Sequence, residues 1–177
     1  ERLRCRGHRD VPRAFQPPGM KPLLIVDGYN VIGAWKEAER RGWSMDEARD
    51  QLMHQLLDYC GYTGEEAVLV FDGYRSDRPV ATEEKNGELT LVFTRHGETA
   101  DSYIERLVVQ TPKYRFVRVA TSDGHEQSMV LGAGAVRMTS RELLREMRQL
   151  RNAGYAAQAA EQTLNRNSLA SGLPRDV

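Results

Sequence analysis

Four aspartates occupy positions from which they could act together on one substrate. Asp27 follows the first predicted strand, Asp72 the second and Asp123 the fourth, and Asp101 lies in the first turn of the helix after the third strand. The carboxyl ends of parallel strands meet at one edge of a sheet, where ligands of such folds bind. Carboxylates held close together stay ionised at neutral pH only beside a compensating cation, and Mg²⁺ and Mn²⁺ prefer oxygen ligands. The pattern therefore predicts a site for Mg²⁺ or Mn²⁺ and the metal-assisted hydrolysis of a phosphodiester.

Each aspartate taken alone has a simpler interpretation, as a helix cap or a turn residue. The recurrence of four at matching positions favours the metal site. A competing zinc site finds no support, because the four histidines have no ligand-like spacing. They are His8, His54, His96 and His125.

Five short runs predict the strands that carry these aspartates. They cover residues 23–26, 67–71, 89–94, 116–120 and 135–138. The first two are continuous and apolar, which is typical of parallel strands buried on both faces. The polar stretch 74–87 is predicted as a loop.

Helical patterns lie between and after the strands. Ser44 and Glu47 form a predicted capping box, and apolar residues at helical spacing continue that helix to residues 60–61. Thr99 opens a second helix, residues 126–131 form a short third one, and Ser140 caps a fourth that runs through residue 150. Alternation of strands and helices predicts an α/β fold, with a mainly parallel sheet covered by helices on both faces.

Composition limits the classes of function. The chain has 177 residues, with 25 Lys and Arg against 25 Asp and Glu. Zero net charge excludes a protein that binds nucleic acid through bulk positive charge alone. Two cysteines exclude a disulfide scaffold, and no apolar run approaches the roughly 20 residues of a membrane span. We expect a soluble, cytoplasmic protein with no membrane partner; its oligomeric state does not follow from the sequence.

Three regions are predicted along the chain. Residues 1–20 are rich in arginine and proline and form a basic, disordered leader. It is either an upstream extension before a natural start at Met20 or an arm that contacts phosphates. Residues 21–150 form the catalytic domain, and residues 151–177 form a helical or disordered tail.

Several motifs resemble one known family. Residues 24–35, which read Leu-Ile-Val-Asp-Gly-Tyr-Asn-Val-Ile-Gly-Ala-Trp, resemble the opening of the YacP-like NYN-domain family. Further matches follow in order at residues 47–50, 70–72, 92–94, 98–101, 120–123, 126–127 and 140–146. The resemblance covers roughly residues 20–150. It implies a three-layer α/β/α sandwich of the PIN-like type, and a metal-dependent endoribonuclease that cleaves mRNA on translating ribosomes.

The resemblance also implies roles for particular residues. Asp27, Asp101 and Asp123 match the acidic catalytic positions of the family, and Asp72 is a further candidate ligand for Mg²⁺ or Mn²⁺. Asn30 matches the asparagine after which the domain is partly named, and we expect it to orient Asp27 or the phosphate. The implied partners are mRNA and the ribosome.

Basic and aromatic residues near the same edge are candidate RNA contacts. The basic ones are Arg75, Arg78, Lys85 and Arg95, which could bind phosphates or simply form a solvated face. Tyr29 could stack on an unpaired base or pack in the core.

The sequence lacks the motifs of two other classes of protein that have an α/β fold. A haloacid-dehalogenase phosphatase needs a second aspartate two residues after the first, where this chain has Tyr29. A dinucleotide site needs a glycine fingerprint after the first strand, and none is present. The alternative that remains open is a ribosome- or RNA-binding module without catalysis, although such a module has no reason to concentrate carboxylates beside RNA.

Overall fold

The computed structural model of the chain describes residues 19–121 and 134–170 and contains one six-stranded sheet. The strands are β1 Leu23–Asp27, β2 Glu66–Phe71, β3 Thr82–Asn86, β4 Leu89–Phe93, β5 Val117–Ala120 and β6 Val136–Met138. Their order across the sheet is β3-β4-β2-β1-β5-β6. All neighbours are parallel except β3 and β4. The mainly parallel sheet predicted from the sequence is confirmed.

Helices cover both faces of this sheet. They are α1 Gly28–Ala34, α2 Lys36–Arg41, α3 Met45–Thr63, α4 Ala100–Gln110 and α5 Ser140–Ala170. The side chains of one sheet face pack with α3 and α5, as in the contact of Leu24 with Leu52 and Leu143 in one buried cluster. Those of the other face pack with α4, where Ile25 and Ile104 share a second cluster. The result is the three-layer α/β/α arrangement.

The central strand β1 sets the position of the first aspartate. All five of its residues are buried, and it lies between β2 and β5 with both neighbours parallel. Because its apolar side chains point alternately into the two cores, the strand is held on both faces. Its last residue, Asp27, therefore emerges at a defined point of the carboxyl edge.

The loop predicted for residues 74–87 is wrong in part. Thr82–Asn86 form β3, which pairs antiparallel with β4 through a turn at Gly87. Gly87 adopts a φ of +58°, a conformation that glycine tolerates best. All five residues of β3 are exposed, so this edge strand carries no apolar pattern from which it could be predicted.

The helix ends differ from the predicted ones at three places. The capping box of Ser44 and Glu47 is confirmed, but α3 continues to Thr63 and ends at Gly64 in the left-handed conformation. Thr139, not Ser140, caps α5, because the Thr139 side chain accepts from the Glu142 N–H and the Glu142 carboxylate accepts from the Thr139 N–H. The helix α5 also extends well past residue 150, to Ala170. The helix predicted at 126–131 and most of the predicted leader lie outside the described residues.

A buried ion-pair network joins the layer of α3 and α5 to the sheet. Arg118 of β5 donates to Glu65 at 2.8 Å, to the Tyr59 hydroxyl at 2.6 Å and to Glu146 at 3.3 Å. The Tyr59 hydroxyl in turn donates to Glu146 at 3.0 Å. Burial raises the pKa of Tyr59 well above its usual value, so the hydroxyl keeps the proton that this bond requires.

None of the helices in the described part of the chain is long and apolar enough to cross a membrane.

Candidate active site

The edge formed by the carboxyl ends of β1 and β2 is the candidate site. Asp27 ends β1 beside Val70 of β2 and is only 8% exposed. It is also the N-cap of α1, since its side chain accepts from the Asn30 N–H at 3.5 Å. The capping interpretation is therefore confirmed, and the residue also presents a largely buried carboxyl group at the sheet edge, where its catalytic role stays a prediction.

Asn30 is tied to the far end of the chain. Its side-chain oxygen accepts a hydrogen bond from the Ser140 hydroxyl at 2.8 Å, and Ser140 is fully buried at the start of α5. Ser140 was expected to cap its own helix, but it anchors Asn30 instead. Its role could not be read from the sequence, because the two residues are 110 positions apart.

Asp72 connects the loop after β2 to the start of α4. One of its carboxylate oxygens accepts from the Tyr74 N–H at 2.7 Å and the other from the Ala100 N–H at 3.2 Å. Both oxygens thus hold backbone groups, and the second bond brings the first turn of α4 to the carboxyl end of β2. A carboxylate has about four acceptor positions, so these bonds leave it capacity for a further ligand.

A buried threonine holds the same two loops together. Thr94 is fully buried; its hydroxyl accepts from the Gly73 N–H at 2.7 Å and donates to the Glu98 carbonyl at 2.7 Å. The approach requires glycine at position 73, because a Cβ there would lie 2.0 Å from the Thr94 carbonyl oxygen. This bridge sets the position of Asp72 relative to Asp101.

Asp101 is exposed in the first turn of α4, which Thr99 caps. Behind it lies Glu98, a buried carboxylate that pairs with Arg106 and lies 3.7 Å from the Nε of Arg95. Glu98 therefore serves as an anchor for two arginines beside the helix start.

The fourth predicted aspartate, Asp123, lies outside the described residues. The preceding strand β5 ends at Ala120, which pairs with Val26 next to Asp27. Thr121 is buried, and its N–H donates to the Met138 carbonyl at 3.1 Å. The chain thus leaves β5 at the edge where Asp27 lies, and the role of Asp123 stays a prediction.

The carboxylate oxygens at this edge are possible ligands for a metal ion. Within residues 19–121 and 134–170, no three His, Cys, Asp or Glu side chains lie close enough together to hold one directly. Asp27, Asp72 and Asp101 offer oxygen donors alone, and Mg²⁺ keeps several waters and takes one or two carboxylates directly. The set fits a hydrated Mg²⁺ or Mn²⁺ better than an ion caged by protein ligands.

The predicted RNA-contacting cations fall into two groups. Arg75 is exposed in the loop after Asp72, Arg78 lies with its guanidinium 4.8 Å from the centre of the Phe93 ring, and Arg95 is 57% exposed beside α4. These three border the carboxylate edge. Lys85 does not, because it lies on β3 opposite Thr90, three residues or about 10 Å before the carboxyl end of β4.

Tyr29 has a packing role in the structure. Its ring lies 4.9 Å from the centre of Phe71, and its hydroxyl accepts from Arg49 at 3.0 Å. Arg49 belongs to the matched stretch 47–50 but was not predicted as a site residue. Its signal in the sequence was weak, because an arginine on an amphipathic helix is usually a solvated one.

Gly28, directly after Asp27, is expected to tolerate no side chain. A Cβ there would lie 2.4 Å from the Phe71 ring, whereas a Cβ at Gly33 of the same helix would meet nothing within 4 Å. Gly28→Ala should therefore lower the free energy of unfolding by about 1–3 kcal/mol through overpacking. Gly33→Ala should raise it by up to about 1 kcal/mol. Urea unfolding of the two variants tests this, and equal effects would contradict the close contact.

Comparison with known proteins identifies the family. The family model described as "YacP-like NYN domain" matches residues 24–177. The chain belongs to the YacP-like NYN domain family. Among its relatives is the Bacillus subtilis protein named "Uncharacterized protein YacP", which is 39% identical over 127 residues, 71% of this chain and 74% of that protein.

Solved structures of YacP-like proteins agree with the fold. The crystal structure of Rae1 (YacP) from Bacillus subtilis matches with a TM-score of 0.58 at 34% identity, over 84% of this chain and 91% of that one. A mutant form of the same protein matches with a TM-score of 0.60 at 34% identity, over 86% of each chain. NYN domains are generally nucleases, so membership gives this YacP-like chain a nuclease-type, RNA-related function.

Proposed function

We propose that this YacP-like chain is a Mg²⁺- or Mn²⁺-dependent endoribonuclease that hydrolyses mRNA in association with the translating ribosome. The observation that carries the proposal is the carboxylate edge. A largely buried aspartate at the end of β1 faces the same edge as Asp72 and the first turn of α4, with Asp101. An oxygen-only set at the carboxyl ends of parallel strands suits metal-assisted hydrolysis of a phosphodiester.

The residues that would hold the ion are Asp27, Asp101 and Asp123, with Asp72 as a further ligand. When bound, the ion polarises the phosphodiester and lowers the pKa of a coordinated water. The Asn30 backbone N–H donates to the Asp27 carboxylate, and the Asn30 side-chain oxygen accepts from the Ser140 hydroxyl. These two hydrogen bonds fix the start of α1 relative to the edge. Thr94 and Asp72 hold the start of α4. Hydrogen bonds within the chain therefore position the carboxylates before any substrate binds.

Local cations supply the attraction for RNA that the neutral chain lacks overall. Arg75, Arg78 and Arg95 border the edge, and phosphate contacts of this kind fix the register of a bound strand. Each contact is weak alone and depends on salt. We therefore expect poor capture of free RNA and efficient cleavage only where another particle presents the strand.

The ribosomal part of the proposal rests on the motif resemblance alone, which implies cleavage of mRNA on translating ribosomes. The zero net charge agrees with it, since a nuclease without a basic field depends on its partner for access to RNA.

The test compares one mRNA on translating ribosomes with the same mRNA free in solution, each with Mg²⁺, with Mn²⁺ and with a chelator. We expect cleavage of the ribosome-bound mRNA with either ion, little cleavage of the free mRNA, and none with the chelator. Asp101→Asn should lose the cleavage, and Glu105→Gln, one turn further along the exposed side of α4, should retain it.

Two outcomes would overturn the proposal. Ribosome binding without cleavage by the wild type would favour the non-catalytic binding module. Equal cleavage by the wild type and Asp101→Asn would place the site elsewhere or reveal a contaminating nuclease.

A further inference from the structure

An open cleft with an aromatic floor lies beside the carboxylate edge. Its floor consists of Phe71, Leu91 and Phe93 of the sheet, and its rim of Asp46, Arg49, Asp50 and Met53 of α3. It encloses about 320 Å³. We call it the aromatic cleft.

The cleft exists because α3 does not cover the outer part of the sheet. Leu89 of β4 is buried beneath α3, whereas Leu91 and Phe93 are only half-buried. The Phe71 and Phe93 rings stack with centres 5.5 Å apart and planes 25° apart. Phe71 is only 1% exposed, so the Leu91 and Phe93 side chains form the apolar surface that is left partly open to solvent at the end of β4.

Arginines lie over this floor. The Arg49 guanidinium is 6.0 Å from the centre of Phe71 and 5.9 Å from that of Phe93, and Arg78 lies 4.8 Å from Phe93. Arg49 is held in place by its bonds to the Tyr29 hydroxyl and the Asp46 carboxylate. Aromatic rings and guanidinium planes are the groups on which proteins stack unpaired bases.

The cleft is continuous with the site through Phe71. This residue ends β2, directly before Asp72, and its ring packs against Gly28 and Tyr29 next to Asp27. A strand whose phosphate lay at the carboxylate edge would therefore place a neighbouring base at the mouth of the cleft.

The rim adds hydrogen-bond acceptors. The Asp46 carboxylate is engaged by Arg49, whereas no residue of the described part of the chain donates a hydrogen bond to the Asp50 carboxylate. Carboxylates accept from the N–H groups of bases. Guanine presents two such groups side by side on its pairing edge, and the other bases present fewer, so a carboxylate at this rim favours guanine.

We propose that the aromatic cleft binds one unpaired nucleobase of the RNA, preferably guanine, next to the scissile phosphate. This rests on the proposed nuclease function, since it names the sequence preference of that same site. The base stacks on the guanidinium groups that lie over the Phe93 ring, and its pairing edge meets the Asp50 carboxylate.

The test measures binding, so that it does not depend on cleavage. Fluorescein-labelled uridine hexamers with a central guanosine, adenosine, cytidine, uridine or abasic ribose are titrated with the full chain in the presence of a chelator. We expect the guanosine hexamer to bind about 10-fold or more tightly than the abasic one, which is the scale of one base stack. It should also bind several-fold more tightly than the all-uridine hexamer.

Three variants separate stacking from edge recognition. Phe93→Leu should weaken binding of the guanosine hexamer about 10-fold and leave binding of the abasic hexamer unchanged. Asp50→Asn should remove the preference for guanosine and leave uridine binding unchanged. Asp58→Asn, an exposed aspartate two turns further along α3, should have no effect. Because Asp50 is exposed, its variant keeps the test informative even if Phe93→Leu fails to fold.

Affinity that does not depend on the central base up to millimolar protein would overturn the cleft proposal, as would equal effects of Asp50→Asn and Asp58→Asn. Cleavage of mRNA on translating ribosomes, together with binding that does not depend on the base, would overturn the cleft proposal and leave the nuclease proposal standing. Base-dependent binding without any cleavage would overturn the nuclease function and leave a base-binding module.

Discussion

Asp27→Asn is expected to lower RNA cleavage at least about 100-fold, because loss of a residue that merely supports a metal ligand already costs about 10–100-fold. The same substitution should change the free energy of unfolding by less than about 1 kcal/mol, since asparagine caps helices about as well as aspartate. The two roles of Asp27, as the cap of α1 and as a carboxylate of the site, can thus be measured separately.

The measurement pairs single-turnover cleavage of ribosome-bound mRNA with urea unfolding of the same variant. Asp58→Asn serves as the control, because it makes the same chemical change at an exposed position of α3. Each tenfold loss of activity corresponds to about 1.4 kcal/mol of transition-state stabilisation. Activity of Asp27→Asn within about three-fold of the wild type is a much smaller effect than a metal ligand should have, and it would show that Asp27 only caps the helix.

Arg118→Met is expected to lower the free energy of unfolding by about 3–5 kcal/mol, the usual cost of removing one partner of a buried ion pair. The Arg118 side chain is 16% exposed and Glu65 is 15% exposed, so water reaches the Glu65 carboxylate poorly once the guanidinium is gone, whereas Glu146 is 35% exposed. Loss of the guanidinium would remove contacts among three elements, because Arg118 of β5 donates to Tyr59 of α3 and to Glu146 of α5.

Lys21→Met is the matched control. Lys21 pairs with Glu88 at 2.8 Å, but the two side chains are 46% and 41% exposed, and exposed pairs contribute less than about 1 kcal/mol. Urea unfolding of both variants gives the comparison. Equal destabilisation by the two substitutions would mean that the network is solvated rather than buried.

Cleavage per folded molecule should survive in Arg118→Met. Arg118 pairs with Leu24 near the start of β1, whereas Asp27 lies at its end. A loss of activity beyond the loss of folded protein would indicate that the network also positions the site.

The strands were predictable because their cause is local and simple. Buried strands are mainly apolar, so β1, β2, β4, β5 and β6 appear as short runs rich in apolar residues, although β5 contains Arg118 and β6 contains Arg137. The start of α3 was predictable for a similar reason, since both partners of its capping box lie within one turn. The strand β3 was not, because an exposed edge strand needs no apolar residue.

The sequence by itself determined the family, the mainly parallel sheet and the placing of aspartates at its carboxyl edge. Only the tertiary structure decided which residues fix the segments that carry these aspartates. Three hydrogen bonds do so, from Ser140 to Asn30, from Gly73 to Thr94 and from Arg49 to Tyr29. These partners are 110, 21 and 20 positions apart along the chain. Hydrogen bonds between such distant residues depend on how the layers pack, and no local pattern of residue types records that packing.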